Sequence, residues 1–101
     1  MFIVRVGARA KDGAREQFLQ VLREQIEEVP QGFPLCYSYR ACVDALDPQA
    51  FLVYEEWVSR EAYVEFSSSE YVAEVMSQLS SLMSDQDAAF YEAEVADLPL
   101  A

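Results

Sequence analysis

Residues 2 to 10 alternate, with Phe2, Val4, Val6 and Ala8 on one side of an extended chain and Ile3, Arg5, Gly7 and Arg9 on the other. That period of two predicts a first strand. Lys11-Asp12-Gly13 then reads as a turn, with Asp12 placed to cap a helix whose apolar stripe is Phe18, Val21, Leu22, Ile26 and Val29. Pro30, Gly32 and Pro34 end that helix. Leu35 to Val43 is rich in β-formers and sets Tyr37 and Tyr39 on one face against Cys36 and Cys42 on the other. The polar turn from Asp44 to Gln49, with Asp47-Pro48 inside it, joins this strand to Phe51 to Val58 as a hairpin. Ser59 is placed to cap a second helical region carrying Ala62, Tyr63 and Phe66. Ser67-Ser68-Ser69 frays or restarts it, and Val72, Val75, Met76, Leu79, Leu82 and Met83 continue at helical spacing. The predicted last strand runs from Ala88 to Ala96, with Phe90 and Tyr91 on opposite faces, and 97–101 is a tail.

Strand, helix, strand, strand, helix, strand is the order of an α+β, ferredoxin-like βαββαβ sandwich, in which helices cover one face of a four-stranded antiparallel sheet. One domain over residues 1–96 accommodates it. The third strand carries apolar residues on both faces, Phe51, Val53 and Trp57 against Leu52, Tyr54 and Val58. The sheet face without helices is therefore expected to meet a second copy, giving a homodimer packed sheet to sheet.

Composition removes several function classes. At 101 residues, 52% apolar and 13% aromatic, the chain has the material for a packed core. It has no apolar run of about 18 residues, and Arg5 and Arg9 interrupt the N-terminal stretch, so a membrane span or signal peptide is not expected and the cytoplasm is the expected location. A formal charge of −11 opposes binding to nucleic acid or to an anionic membrane. Cys36 and Cys42, on one strand about 20 Å apart, are too distant for a mutual disulfide and read as small apolar groups on a shared face. Histidine is absent, which removes the commonest general base and metal ligand, and zinc would need more thiol or imidazole ligands than are present. No glycine-rich phosphate loop occurs, and no cofactor site is expected.

The stretch with most chemistry is Phe51-Leu-Val-Tyr-Glu-Glu-Trp57 followed by Ser59-Arg-Glu-Ala-Tyr63. Glu55 shares a strand face with Phe51, Val53 and Trp57, so its carboxylate must either be paired or have its pKa raised, and a raised carboxylate can serve as a base. Arg5 and Arg9 of the neighbouring first strand are the expected partners in the paired case. Tyr63, at the start of the helix, can donate a hydrogen bond to a ligand. Tyr37 and Tyr39 can extend a pocket wall, although tyrosine is also an ordinary strand former.

Three separated segments carry a family resemblance: Lys11-Asp12-Gly13 leading into Glu16-Gln-Phe-Leu19, Tyr54-Glu55-Glu56-Trp57, and Ser59-Arg-Glu-Ala62. Together they make the chain similar to the antibiotic biosynthesis monooxygenase family of dimeric α/β-barrel proteins. The resemblance implies oxygen chemistry without flavin, metal or haem, in which a deprotonated phenol or quinol itself reacts with dioxygen. It also implies that Trp57 and Tyr63 match positions lining the substrate cavity of the family's aromatic-polyketide oxygenases.

The family's asparagine four residues before that tryptophan is Val53 here, and Phe66 and Tyr71 stand where many members carry histidine. In the haem-degrading branch a tryptophan and a histidine occupy about the positions of Phe66 and Met76, so the haem ligand is missing and haem degradation is not implied. The candidate catalytic set is Glu55, Trp57 and Tyr63, with Tyr37, Tyr39, Val53, Phe66, Tyr71 and Met76 around the pocket. The expected function is cofactor-independent monooxygenation of a small aromatic quinol or polyketide-like phenol. The alternative is a non-catalytic module of the same fold that binds a small hydrophobic ligand or only dimerises.

Overall fold

A computed structural model describes residues 1–94. Its elements are β1 (Phe2–Ala10), α1 (Arg15–Gly32), β2 (Cys36–Val43), β3 (Ala50–Trp57), α2 (Arg60–Ser67), α3 (Glu70–Leu79) and β4 (Met83–Glu92). The four strands form one antiparallel sheet in the order β2-β3-β1-β4. This is the predicted α+β, ferredoxin-like arrangement, with the second helical region divided in two at the serine run.

The division has a local cause. Ser59 accepts a hydrogen bond from the Ala62 amide and starts α2, while Ser69 accepts one from the Val72 amide and starts α3. Between the two helices, the Ser67 and Ser68 hydroxyls donate to the Val64 carbonyl and occupy groups that would continue the helix.

Phe2, Val4, Phe51, Val53 and Trp57 project from β1 and β3 into the core and meet Phe18, Leu22 and Val29 of α1 and Phe66 of α2. The apolar stripe of α1 differs from expectation at one position: Ile26 is 38% exposed, and Gln25 is buried in its place. The spacing 18, 22, 25, 29 is the better helical face, and it carries an amide into the core. Asp12 makes no cap, since the N-cap residue is Ala14 without a side-chain hydrogen bond, and the helix runs through Pro30 to Gly32.

β2 contains an irregularity that changes which side chains face inward. Cys36 pairs with Trp57, whereas Ser38 pairs with Glu56 and Tyr39 with Glu55, leaving Tyr37 as an extra residue. Cys36 and Tyr39 therefore both face the core, and Tyr37 is 63% exposed. The shift also parts the cysteines, Cys36 buried and Cys42 exposed on the opposite face. Burial pushes the Cys36 thiol up to about 11, so it stays protonated near neutrality.

The last strand begins earlier than expected. α3 ends at Leu79, a turn closes with the Leu82 amide donating to Leu79, and Met83 opens β4 instead of extending the helix. Its polar first half, Ser84-Asp85-Gln86-Asp87, has no strand-like alternation of its own, and pairing with β1 determines its conformation. The predicted strand end at 95–96 and the tail at 97–101 lie outside the described residues.

Candidate functional site

Between the sheet and the helices lies a cavity of about 120 Å³. Val53 and Glu55 of β3, with Tyr39 of β2, line its sheet side, and Tyr63, Phe66, Tyr71 and Met76 line the α2/α3 side. Gln25 enters from α1. Two of the expected site residues are elsewhere: Tyr37 points away from the core because of the β2 irregularity, and Trp57 is sealed beneath the cavity at 1% exposure.

Among the described residues, Glu55 is the only carboxylate on the cavity wall, and it is 4% exposed. The expected pairing with Arg5 or Arg9 does not occur. Glu55 pairs with Val4 across the sheet and points inward, whereas Arg5 and Arg9 alternate to the other face, where Arg5 lies over the Tyr91 ring and Arg9 bonds Asp47. Instead the Trp57 indole Nε1 donates to Glu55 Oε1 at 3.0 Å, a contact that follows from two residues sharing a strand face at a spacing of two. Burial pushes the Glu55 carboxyl up to about 7, and the indole hydrogen bond works against that rise.

Trp57 is held by aromatic neighbours. Its ring centroid is 4.7 Å from Phe66, 6.0 Å from Tyr63 and 6.4 Å from Phe33, and Phe33 packs edge-on to Phe66 at 4.9 Å. Phe33, which sequence reasoning does not single out, thus braces the residue that orients the carboxylate. The Tyr39 hydroxyl donates to Gln25 Oε1 at 2.6 Å, and burial followed by the charge of Glu55 raises its pKa, so the phenol keeps its proton. Tyr63 is raised in the same way, by burial first and Glu55 second. Sequence reasoning also passes over Gln25. Its signal is a polar residue seven positions after Phe18 and three after Leu22, on the apolar face of α1.

The arrangement offers a shielded, titratable carboxylate facing neutral phenols in a largely apolar space. Among the described residues no group of three or more acidic or cysteine side chains could hold a metal ion, and no helix is long and apolar enough to cross a membrane.

A ferredoxin-like sheet that roofs an aromatic cavity with an internal carboxylate defines the class: small α+β proteins with a buried ligand-sized site. Residues 1–78 match the family model for antibiotic biosynthesis monooxygenase, and the chain belongs to that family. Among solved structures, a Deinococcus radiodurans protein provisionally assigned as an antibiotic biosynthesis monooxygenase superposes with a TM-score of 0.90 at 22% identity, covering 100% of both chains. A second structure, described as an antibiotic biosynthesis monooxygenase, is 26% identical with a TM-score of 0.83 over 94% of this chain and 100% of its own. A conserved protein from Methanosarcina mazei has a TM-score of 0.84 at 18% identity, covering 92% of each chain. No curated protein matches the sequence.

Proposed function

We propose that the protein is a cofactor-independent monooxygenase acting on a small aromatic quinol or polyketide-like phenol, with Glu55 as the base. Family membership supports monooxygenation in general terms, and the observation that carries the specific reading is Glu55 itself. A carboxyl with a pKa of about 7 on an apolar cavity wall is half ionised at neutral pH and accepts a proton from a bound phenol. The resulting phenolate carries the electron density that reacts with dioxygen.

For a single-ring phenol, taken as its keto tautomer, the balance closes without a further reductant. The reacting CH₂ carbon becomes C=O, one oxygen atom stays on that carbon, and the other leaves as water with the two hydrogens. In this reading the apolar walls exclude water, Tyr63 donates to a substrate oxygen, and Trp57 acts through Glu55 as a positioning residue.

Oxygen uptake with a panel of hydroquinones and anthrone-like phenols tests the reading. Protein-dependent uptake is expected, with Tyr63→Phe reducing it by about tenfold for the loss of one hydrogen bond. Absence of uptake across the panel, together with ordered binding of the same compounds, would favour the alternative of a ligand-binding module.

The same reading includes a homodimer through the open sheet face. That face presents Leu52 at 40%, Val58 at 37% and Tyr91 at 45% exposure, the kind of apolar surface a second copy covers. Sedimentation at micromolar concentration is expected to give a dimer, and a stable monomer would remove this part of the proposal.

A further inference from the structure

Gln25 is 5% exposed, and its amide is only half used: Oε1 accepts from Tyr39, while the buried Nε2 has no partner. Tyr71, on α3 facing α1, has a buried hydroxyl that is likewise unpartnered. Burial raises the Tyr71 pKa first and a hydrogen-bonding approach to the Glu28 carboxylate raises it next, so this hydroxyl has a carboxylate within reach although no hydrogen bond of ordinary geometry is formed. Both residues line the cavity, opposite the sheet. Leaving a buried donor unmatched costs free energy that folded proteins ordinarily avoid, so the Gln25 amide on the cavity wall indicates a missing acceptor, which the Tyr71 hydroxyl on the same wall can share.

We propose that this helix-side wall is a binding site for the carbonyl oxygen of a neutral, single-ring aromatic ligand, with Gln25 Nε2 and the Tyr71 hydroxyl as its donors. The inference rests on reading the cavity as a ligand site and adds which polar function that ligand carries. A carbonyl oxygen has two lone pairs and accepts from both donors at once.

Charge decides between a carbonyl and a carboxylate. Glu55 faces the same cavity, and Glu24, Glu28 and Glu74 line the adjoining cleft that Gln25 and Tyr71 also border. Among the described residues no Lys or Arg lines either space. An anion placed there meets carboxylates without a compensating cation, whereas a neutral ketone or quinone oxygen does not. A volume of about 120 Å³ suits one substituted ring.

The test is calorimetric binding of acetophenone, ethylbenzene and benzoate to the full chain. The two neutral probes have nearly the same shape and differ in the carbonyl. Acetophenone is expected to bind about tenfold more tightly than ethylbenzene, and benzoate to bind more weakly than both. Gln25→Met is expected to abolish the advantage. Tyr71→Phe is expected to reduce it by about threefold.

Ethylbenzene binding as tightly as acetophenone overturns the carbonyl site but leaves the cavity a ligand site. An advantage that survives both substitutions overturns the assignment to Gln25 and Tyr71. Tighter binding of benzoate overturns the choice of a neutral ligand, and failure of all three probes to bind removes the ligand cavity and this inference with it.

Discussion

Glu55→Gln is expected to lower turnover by about 10²- to 10⁴-fold, the range general-base catalysis supplies, with little change in substrate affinity because the amide keeps the size and the acceptor used by Trp57. The same substitution changes stability in a direction that depends on pH. The carboxyl has a pKa of about 7 in the fold against an ordinary 4.5, so between those values the folded protein holds a proton that the unfolded chain releases. The stabilising contribution is fully present below pH 4.5 and is lost as pH rises through 7, and the gap corresponds to about 3 kcal/mol. An amide at this position does not titrate. Denaturant unfolding of both proteins at pH 4 and pH 8 is therefore expected to show the variant gaining on wild type by about 3 kcal/mol over that interval. A constant difference between them would mean that the Glu55 carboxyl titrates in the fold at its ordinary 4.5.

Trp57→Ala is expected to destabilise the protein by about 3 to 5 kcal/mol, a large share of the stability of a domain this size. The indole is 1% exposed and touches Phe33, Tyr63 and Phe66, so truncation leaves a hole in the aromatic cluster that supports the cavity wall. Trp57→Phe separates packing from hydrogen bonding. It retains most of the ring contacts and is expected to cost less, but it removes the Nε1 donor that favours the ionised carboxylate. The Glu55 pKa is then expected to rise further, moving the alkaline-going rise of activity to higher pH. Chemical denaturation measures the first effect, and the pH dependence of kcat/KM measures the second.

Much of this geometry is legible in the sequence because it follows from local rules. The alternation in Phe51 to Trp57 correctly places Glu55 and Trp57 on one inward face, and the serines at 59 and 67–69 correctly mark the start and the division of the second helical region. What the sequence misleads on depends on pairing between strands. A single extra residue at Tyr37 reverses the facing of the chain before it, which no count along β2 reveals, and so alternation alone puts Tyr37 in the pocket and Cys36 on the same face as Cys42. The Arg partner for Glu55 fails for a related reason. β1 and β3 are adjacent as expected, but Arg5 and Arg9 lie on the face opposite the carboxylate. β4 starts earlier than its pattern suggests because Ser84 to Asp87 has strand conformation only through its bonds to β1. Gln25 escapes notice because a buried helix face is ordinarily apolar and Ile26 beside it offers an apolar alternative, which the fold leaves exposed.

The proposed chemistry depends on one carboxyl group that titrates near neutrality inside an apolar cavity. Difference infrared spectroscopy of wild type against Glu55→Gln, followed from pH 4 to pH 9, isolates that carboxyl. The geometry predicts a protonated C=O band that disappears with a midpoint of about 7. A midpoint at or below the ordinary 4.5 would contradict it and leave the cavity without its base.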